Sequence, residues 1–430
     1  MVKFEQGKVI KTDFGAPIKI VKYLASGGQG DVYIVEYEGK QKALKWYSPQ
    51  TLKVSDAFYD NLKRNADKGA PDKAFLWPIA VTERIDGSFG YIMDLRPEGY
   101  YELGKILASD KYGFTSYKAA TEACIQLTNA FRLLHNNGYC YSDMNDGHFF
   151  INPQTGDVLI CDNDEVVPAG VKVQIMQPPR YVAPEIVVSD WHGISDRQAE
   201  RHSLAVLIFL ILLGGHPLEG QQWLVPCMTH EIQKKIYGSN PVFIFDPSDD
   251  SNRPISNIHT NVMKRWNSAP QYLKDAFLSS FSQQALKDPN RRLNELNWLK
   301  ILVRLRSDIV RCSCGKDVLI QNTATMKCDA CGNLVIVDNI IKLPTYSITA
   351  AKGSRVYRCQ LGACNADEAL IPVLHVVARP DGVLGVRNMT MNVLKAIFPS
   401  GKEKQIAPGE VIPLKAGISI YAYNAEINLM

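Results

Sequence analysis

Asp143 and Asp162 stand nineteen residues apart, on either side of two short β-rich pieces, 149–151 and 158–161, joined by the turn Asn152-Pro-Gln-Thr-Gly156. A hairpin between two carboxylates can place one beside an attacking hydroxyl and the other on a metal ion. A lone aspartate is more often a turn or cap residue, so the neighbouring pieces matter. Upstream lies Leu24-Ala-Ser-Gly-Gly-Gln-Gly-Asp-Val-Tyr33, whose glycines leave backbone N–H groups open to phosphate because no Cβ intervenes. Lys45, in Ala43-Leu44-Lys45, follows the last of these glycines by fifteen residues at the end of a strand pattern, where its ammonium can neutralise phosphate charge. Each piece alone is common on a protein surface; their order along the chain is what points to phosphoryl transfer. A second cluster, Cys312-x-Cys314-Gly and Cys328-x-x-Cys331-Gly with thirteen residues between the pairs, has the spacing of a closed four-thiolate Zn²⁺ site.

The elements that must hold these residues follow from periodicity. Residues 15–50 alternate apolar and polar positions around the glycine cluster and read as strands. Residues 55–68 have helical spacing, 75–81 and 90–95 are strand-like, and 116–136 carry Ala120, Cys124, Leu127, Ala130, Phe131 and Leu134 on one helical face. Residues 195–305 read as mostly helical. After Leu343-Pro344 the chain turns to short strands at 355–360, 371–378, 383–386, 396–398 and 418–423, separated by Pro/Gly turns. The predicted fold class is therefore α+β, with strands first, helices next and a small β-sandwich or barrel last.

Composition narrows the function classes. Of 430 residues, 46% are hydrophobic and 21% charged, enough for several packed cores. Lys plus Arg exceeds Asp plus Glu by 48 to 44, too little over this length to predict nucleic-acid or membrane binding by charge. The longest apolar run, 204–213, is half of the ~20 residues a membrane helix needs and reads as a buried core helix. The first residues, MVKFEQGKVIKTDF, have no apolar signal region, and ten cysteines in a chain this long predict a reduced, cytoplasmic setting.

With Arg180-Tyr-Val-Ala-Pro-Glu185 added downstream, residues 15–305 resemble a eukaryotic-like (Hanks-type) Ser/Thr protein kinase. The resemblance implies a bilobal kinase fold with ATP and Mg²⁺ (or Mn²⁺) as cofactors. ATP would be bound around Ala25, Ser26, Gly27, Gly28, Gly30, Val32, Ala43 and Lys45, with the adenine on the backbone of the hinge 93–96, which includes Asp94 and Arg96. Asp143 would be the catalytic aspartate, Lys45 the phosphate lysine, Asp162 the metal ligand and His148 a second metal position. Arg292 would pair with Glu185, and Glu200 stands where the central helix usually has aspartate.

Several positions depart from that pattern. Tyr141-Ser142 replace the usual His-Arg, so the chain is of non-RD type, and segment 163–184 has no Ser or Thr. No activation-loop phosphosite is expected there. Asn145 replaces a basic residue, Pro178 stands where a Thr is usual, and His148 replaces an Asn, although Mg²⁺ prefers oxygen ligands. Helix 55–68 offers Lys45 only Asp60, Asn61 or Asp67 as partner. These departures keep a second reading open: a nucleotide-binding pseudokinase that serves as a scaffold.

The expected domains are a kinase N-lobe (1–96), a C-lobe (97–308), a zinc ribbon (309–344) with Cys312, Cys314, Cys328 and Cys331 on structural Zn²⁺, and a β-sandwich (345–430). Four free thiols are the alternative to zinc. Gly385-Val-Arg-Asn388 and Pro408-Gly-Glu-Val411 resemble pieces of forkhead-associated-like sandwiches, although no phosphothreonine-reading Arg and Ser can be assigned, which favours an interaction or packing domain. Kinase, ribbon and sandwich together, with Phe75-Leu-Trp-Pro78 and Cys161-Asp-Asn-Asp164, resemble the bacterial kinases of tellurite-resistance and stress loci. That resemblance implies a protein substrate, with a metal-dependent protein phosphatase and a TerY-type von Willebrand A-domain protein as partners, and no nucleic acid or membrane.

Overall fold

Alternating residues over 9–47 form four strands, β1 (Val9–Lys11), β2 (Pro17–Gly27), β3 (Gly30–Tyr37) and β4 (Lys40–Tyr47). Helix α1 (Asp56–Lys68) follows, and β5 (Ala80–Val81) and β6 (Gly90–Met93) complete an antiparallel sheet in the order β1-β2-β3-β4-β6-β5. This computed structural model describes residues 4–51, 55–174, 178–190, 192–194, 196–320 and 325–430. Ser55 caps α1 by accepting from the Phe58 N–H, and Gly69 ends it at φ 77°, a left-handed value that favours glycine. The helix buries Leu62 against an aromatic group of Tyr47, Phe89 and Tyr91.

The expected strand over 75–81 forms only at its end, in β5. Residues Phe75, Leu76 and Trp77 instead run buried between the lobes. The Leu76 N–H donates to Ile160 O at 2.9 Å, the Trp77 indole donates to Asn65 O at 2.7 Å, and Pro78 has no N–H to continue a ladder.

The large lobe begins with β7 (Tyr101–Glu102), α2 (Leu103–Ala108) and α3 (Tyr117–Asn136). Short strands β8 (Tyr139–Cys140), β9 (Phe149–Ile151), β10 (Val158–Ile160), β11 (Val167–Pro168), β12 (Lys172–Gln174) and β13 (His192–Ile194) carry the loops of interest. Helices α4 (Pro184–Val188), α5 (Arg197–Leu213), α6 (His230–Lys234), α7 (Thr260–Ser268), α8 (Gln271–Ser280), α9 (Gln283–Lys287) and α10 (Glu295–Asp308) fill the rest. The apolar run 204–213 is buried throughout as the last part of α5, with Phe209 edge-on to Phe243, Phe277 and Phe281. Among the described residues no helix is long and apolar enough to cross a membrane. The two-lobed arrangement expected of the kinase resemblance is present.

Past α10, two hairpins hold the four clustered cysteines: β14 (Ile309–Arg311) with β15 (Asp317–Leu319), and β16 (Thr325–Lys327) with β17 (Leu334–Ile336). Ten strands then form a sandwich. Strands β18 (Ile340–Lys342), β19 (Ser347–Thr349), β23 (Leu394–Ile397), β24 (Glu403–Ile406), β26 (Ser419–Ala422) and β27 (Ala425–Leu429) make one sheet. Strands β20 (Arg355–Tyr357), β21 (Pro372–Ala378), β22 (Leu384–Asn388) and β25 (Val411–Pro413) make the other. Because β18 pairs with both β19 and β27, the sandwich takes in residues ahead of the expected start at 345.

The sandwich is docked on the large lobe. Tyr357, Cys359 and Ala369 belong to the same apolar cluster as the inward faces of α3 and α10. Arg306 of α10 bonds both Glu122 of α3 and the Tyr357 hydroxyl, and the Arg304 guanidinium lies 4.0 Å from the Tyr272 ring centroid and 4.6 Å from that of Tyr346.

Candidate active site

The β2–β3 turn presents Ala25, Ser26, Gly27 and Gly28 to solvent. A Cβ added to Gly27 or Gly28 would meet nothing within 4 Å, so no contact within the chain requires glycine at either position. Gly30 is different. Its Cβ would stand 2.0 Å from Trp46 O, so glycine is required there by the close approach of β4 rather than by a ligand. Val32 pairs with Lys45, and buried Ala43 pairs with Met93 at the end of β6. In the segment after β6, Asp94 pairs with Lys42, while the Arg96 guanidinium lies 4.0 Å from the Phe150 ring centroid.

Lys45 is nearly buried, and its ammonium is the meeting point of the site. It donates to Asp162 Oδ1 and to Asp164 Oδ2, each at 3.1 Å. Burial would lower its pKa, but the two carboxylates outweigh burial and move it upward, so the ammonium stays charged. None of the three α1 residues expected as its partner fills that role. Asp60 and Asp67 lie on the exposed side of α1, and Asn61 Nδ2 donates to Val166 O at 3.0 Å. Asn65 donates to the same carbonyl at 3.0 Å, so α1 grips the segment after β10 through amides.

Asp162 follows β10 in left-handed backbone, at φ 51°. The next residue, Asn163, is fully buried and donates to Leu76 O and Ile160 O at 2.9 and 2.8 Å, which fixes the turn from inside. His148 stands between the two aspartates, with Nε2 3.3 Å from Asp162 Oδ2 and Nδ1 3.5 Å from Asp143 Oδ2. Asn145 Nδ2 donates to Asp143 Oδ1 at 3.0 Å, a neutral contact in place of the charged one a basic residue would make. Burial pushes the Asp143 carboxyl up, against the opposing pull of His148 and Asn145.

The loop carrying Asp143 is held by contacts that sequence reading did not assign, although it named Tyr141, Ser142 and Glu200. Tyr141 is fully buried and its hydroxyl donates to Cys161 O, tying the loop to the strand before Asp162. The Ser142 N–H donates to Glu200 Oε1 at 2.8 Å, and Glu200 Oε2 lies 2.8 Å from His135 Nε2. His135 Nδ1 lies 2.9 Å from Glu295 Oε1, and Arg201 closes the network with bonds of 2.9 and 3.1 Å to Glu295. Burial alone would lower the His135 pKa, but the two glutamates raise it to about 9. Burial would raise the Glu295 pKa, but His135 and Arg201 bring it down to about 2. The available signal was the position of His135 at the end of helix 116–136, just before Tyr141; nothing local connected it to residues 200 and 295.

Glu185 and Arg292 form a two-pronged pair, at 2.8 and 2.7 Å, with the guanidinium buried. This clamps α4 against the turn before α10. Pro178 precedes it at the edge of the described residues; residues 175–177 of the segment 163–184 lie outside them.

The four cysteine sulfurs lie within 4.8 Å of one another, with Cys312–Cys331 and Cys314–Cys328 both at 3.7 Å. A disulfide requires about 2.05 Å. A tetrahedron with Zn–S of about 2.3 Å has edges of about 3.8 Å, so the donor set fits zinc. Gly315 and Gly332 close the two turns at φ 86° and 75°. The Gly315 N–H donates to Cys312 O at 2.9 Å and the Gly332 N–H to Cys328 O at 2.8 Å.

No protein-family model matches the chain. Among solved structures it is similar to the kinase domain of Mycobacterium tuberculosis PknI, at 16% identity and a TM-score of 0.44, covering 70% of this chain and 98% of that one. A double mutant of the same domain gives a TM-score of 0.46 at the same identity and coverage.

Proposed function

We propose that the chain is an ATP-dependent Ser/Thr protein kinase of non-RD type that transfers the γ-phosphoryl group of ATP to a protein hydroxyl without an activation-loop phosphosite. The observation that carries this reading is the convergence of Lys45, Asp162 and Asp143 from three separate elements, with Asp162 bonded to Lys45 at 3.1 Å and linked through His148 to Asp143. Phosphoryl transfer needs positioning and charge neutralisation more than covalent help from the protein. Lys45 supplies a cation beneath the open glycine turn. Asp143, with its carboxyl raised by burial, orients the substrate hydroxyl and takes its proton. Asp162 would hold Mg²⁺ or Mn²⁺, with His148 beside it, and a metal bound there would supply charge neutralisation on the phosphates. Zn²⁺ on Cys312, Cys314, Cys328 and Cys331 is structural in this reading. A protein substrate, a metal-dependent phosphatase and a TerY-type von Willebrand A-domain partner in a stress-response module rest on the sequence resemblance alone.

One observation favours the pseudokinase reading: the second metal position is an imidazole that contacts Asp162 Oδ2 at 3.3 Å. The discriminating experiment compares the wild type with Asp143→Asn, using labelled ATP, Mg²⁺ or Mn²⁺ and a basic protein substrate. A kinase labels the substrate only as wild type, while both proteins bind nucleotide. Absence of label from both, with nucleotide bound, overturns the kinase reading in favour of the scaffold.

A further inference from the structure

In the proposed role Lys45 must keep its ammonium at the phosphates, and a buried lysine is held in place by a counter-charge. Among the described residues two carboxylates reach it, and they are not equivalent. The Asp162 side chain is 36% exposed, also contacts His148, and is assigned above to a metal ion. A carboxylate shared with a metal is a poor sole anchor for the lysine. Asp164 is fully buried, and its Oδ2 accepts from Lys45 Nζ at 3.1 Å and from the Tyr47 hydroxyl at 2.6 Å. Lys45 and Tyr47 are two residues apart on β4 and so face the same side. One oxygen therefore fastens two consecutive inward positions of the small-lobe sheet to the turn after β10. Helix α1 contributes no charge to this arrangement, since its facing residues Asn61 and Asn65 both donate to Val166 O.

We propose that Asp164 is the positioning residue for Lys45, setting the ammonium at the phosphate site in place of a carboxylate from α1. The inference deepens the phosphoryl-transfer reading and rests on it. The anchor of Lys45 and the metal-holding carboxylate then belong to one turn, 162–164, whose middle residue Asn163 is bonded into the core. The two form together, and no movement of α1 is needed to complete the lysine site.

The test uses the full chain, Mg²⁺-ATP calorimetry, phosphoryl transfer and thermal melting. Asp164→Asn is expected to weaken ATP binding by about tenfold or more and to lower transfer. In a Lys45→Met background the same substitution should change transfer by less than about threefold, because the group it positions is gone. The double change Asp60→Ala with Asp67→Ala should leave binding and transfer at wild-type levels. Melting gives an arm that survives loss of binding. Lys45→Met leaves the buried Asp164 carboxylate without its counter-charge and Asp164→Asn leaves Lys45 with Asp162 alone, so the double variant should lose clearly less melting temperature than the sum of the two single losses. Additive losses in melting, or an Asp164→Asn protein with wild-type binding and transfer, overturn the proposal. A wild type that binds no ATP overturns the function reading itself, and is told apart because the failure lies in the wild type.

Discussion

The buried group of His135, Glu200, Glu295 and Arg201 should make the large lobe lose stability in mildly alkaline solution. With His135 protonated, two carboxylates face two cations. Loss of the imidazolium proton leaves one uncompensated negative charge among groups that are nearly all buried. The pKa of His135 in the fold is about 9, against the ordinary histidine value of 6.5. A raised pKa means the folded state holds the proton more tightly. The stabilisation is therefore complete below about pH 6.5 and is lost as pH rises through about 9. At 1.36 kcal/mol per unit, the loss is about 3 kcal/mol, and burial leaves little solvent screening to reduce it. Glu295, brought down to about 2, contributes in the opposite sense: its share is present above about pH 4.5 and fades as pH falls toward 2. The assay is thermal or denaturant unfolding of wild type and His135→Gln at intervals from pH 6 to 10. Lysines, tyrosines and thiols titrate in both proteins, so the difference between the two curves carries the information. The difference should be largest near pH 6, shrink steadily from about pH 6.5 and be nearly gone above pH 9. Nitrogen chemical shifts should show both ring nitrogens of His135 protonated at pH 8. Parallel curves, or a neutral ring at pH 8, would refute the argument. Since Glu200 also accepts from the Ser142 N–H, the loop holding Asp143 should loosen over the same pH range.

Two further outcomes follow from local geometry. Gly30→Ala should cost more than about 2 kcal/mol of small-lobe stability, because its Cβ would stand 2.0 Å from a backbone carbonyl, whereas Gly27→Ala should melt like wild type; a melting comparison of the two decides it. The purified protein should contain one Zn²⁺ per chain by elemental analysis, and Cys328→Ser should lower that content and unfold the 309–337 hairpins under limited proteolysis, since a core of six mostly small residues is too little to fold without a metal.

The candidate residues of the site stood out because they sit in short motifs whose order along the chain resembles a known arrangement. Lys45, Asp143 and Asp162 needed no knowledge of distant contacts to be singled out. Asp164 lay in the same motif but could not be told from a surface turn residue, since its burial depends on Tyr47 and Lys45, more than a hundred residues upstream. Helix α1 misled for the related reason that helical spacing identifies a face but not which face meets the lysine. Gly30 was read as a phosphate-loop glycine, while the structure ties its lack of a Cβ to β4, a contact set by strand register. The Phe75–Trp77 stretch looked like a strand because it is apolar and aromatic, yet its backbone bonds go to Ile160 and the lobe boundary. In each case the missing information was long-range packing, which local patterning does not contain.

The seat of the sandwich on α3 and α10 has a consequence for how the chain is made. Tyr357, Cys359 and Ala369 complete an apolar cluster whose other members begin at Ala74. During synthesis the small lobe can close its own sheet before the large lobe is made, since β1–β6 all precede the large-lobe elements along the chain. The large lobe is in a different position: helices α3 and α10 leave the ribosome with part of their apolar faces uncovered, and the residues that cover them arrive some fifty positions after α10 ends. At typical synthesis rates of about 5–20 residues per second, that is an interval of several seconds. Over that interval the nascent large lobe should expose apolar surface of the kind that chaperones bind, and a chain ended before residue 357 would lack Tyr357, Cys359 and Ala369 from its main core.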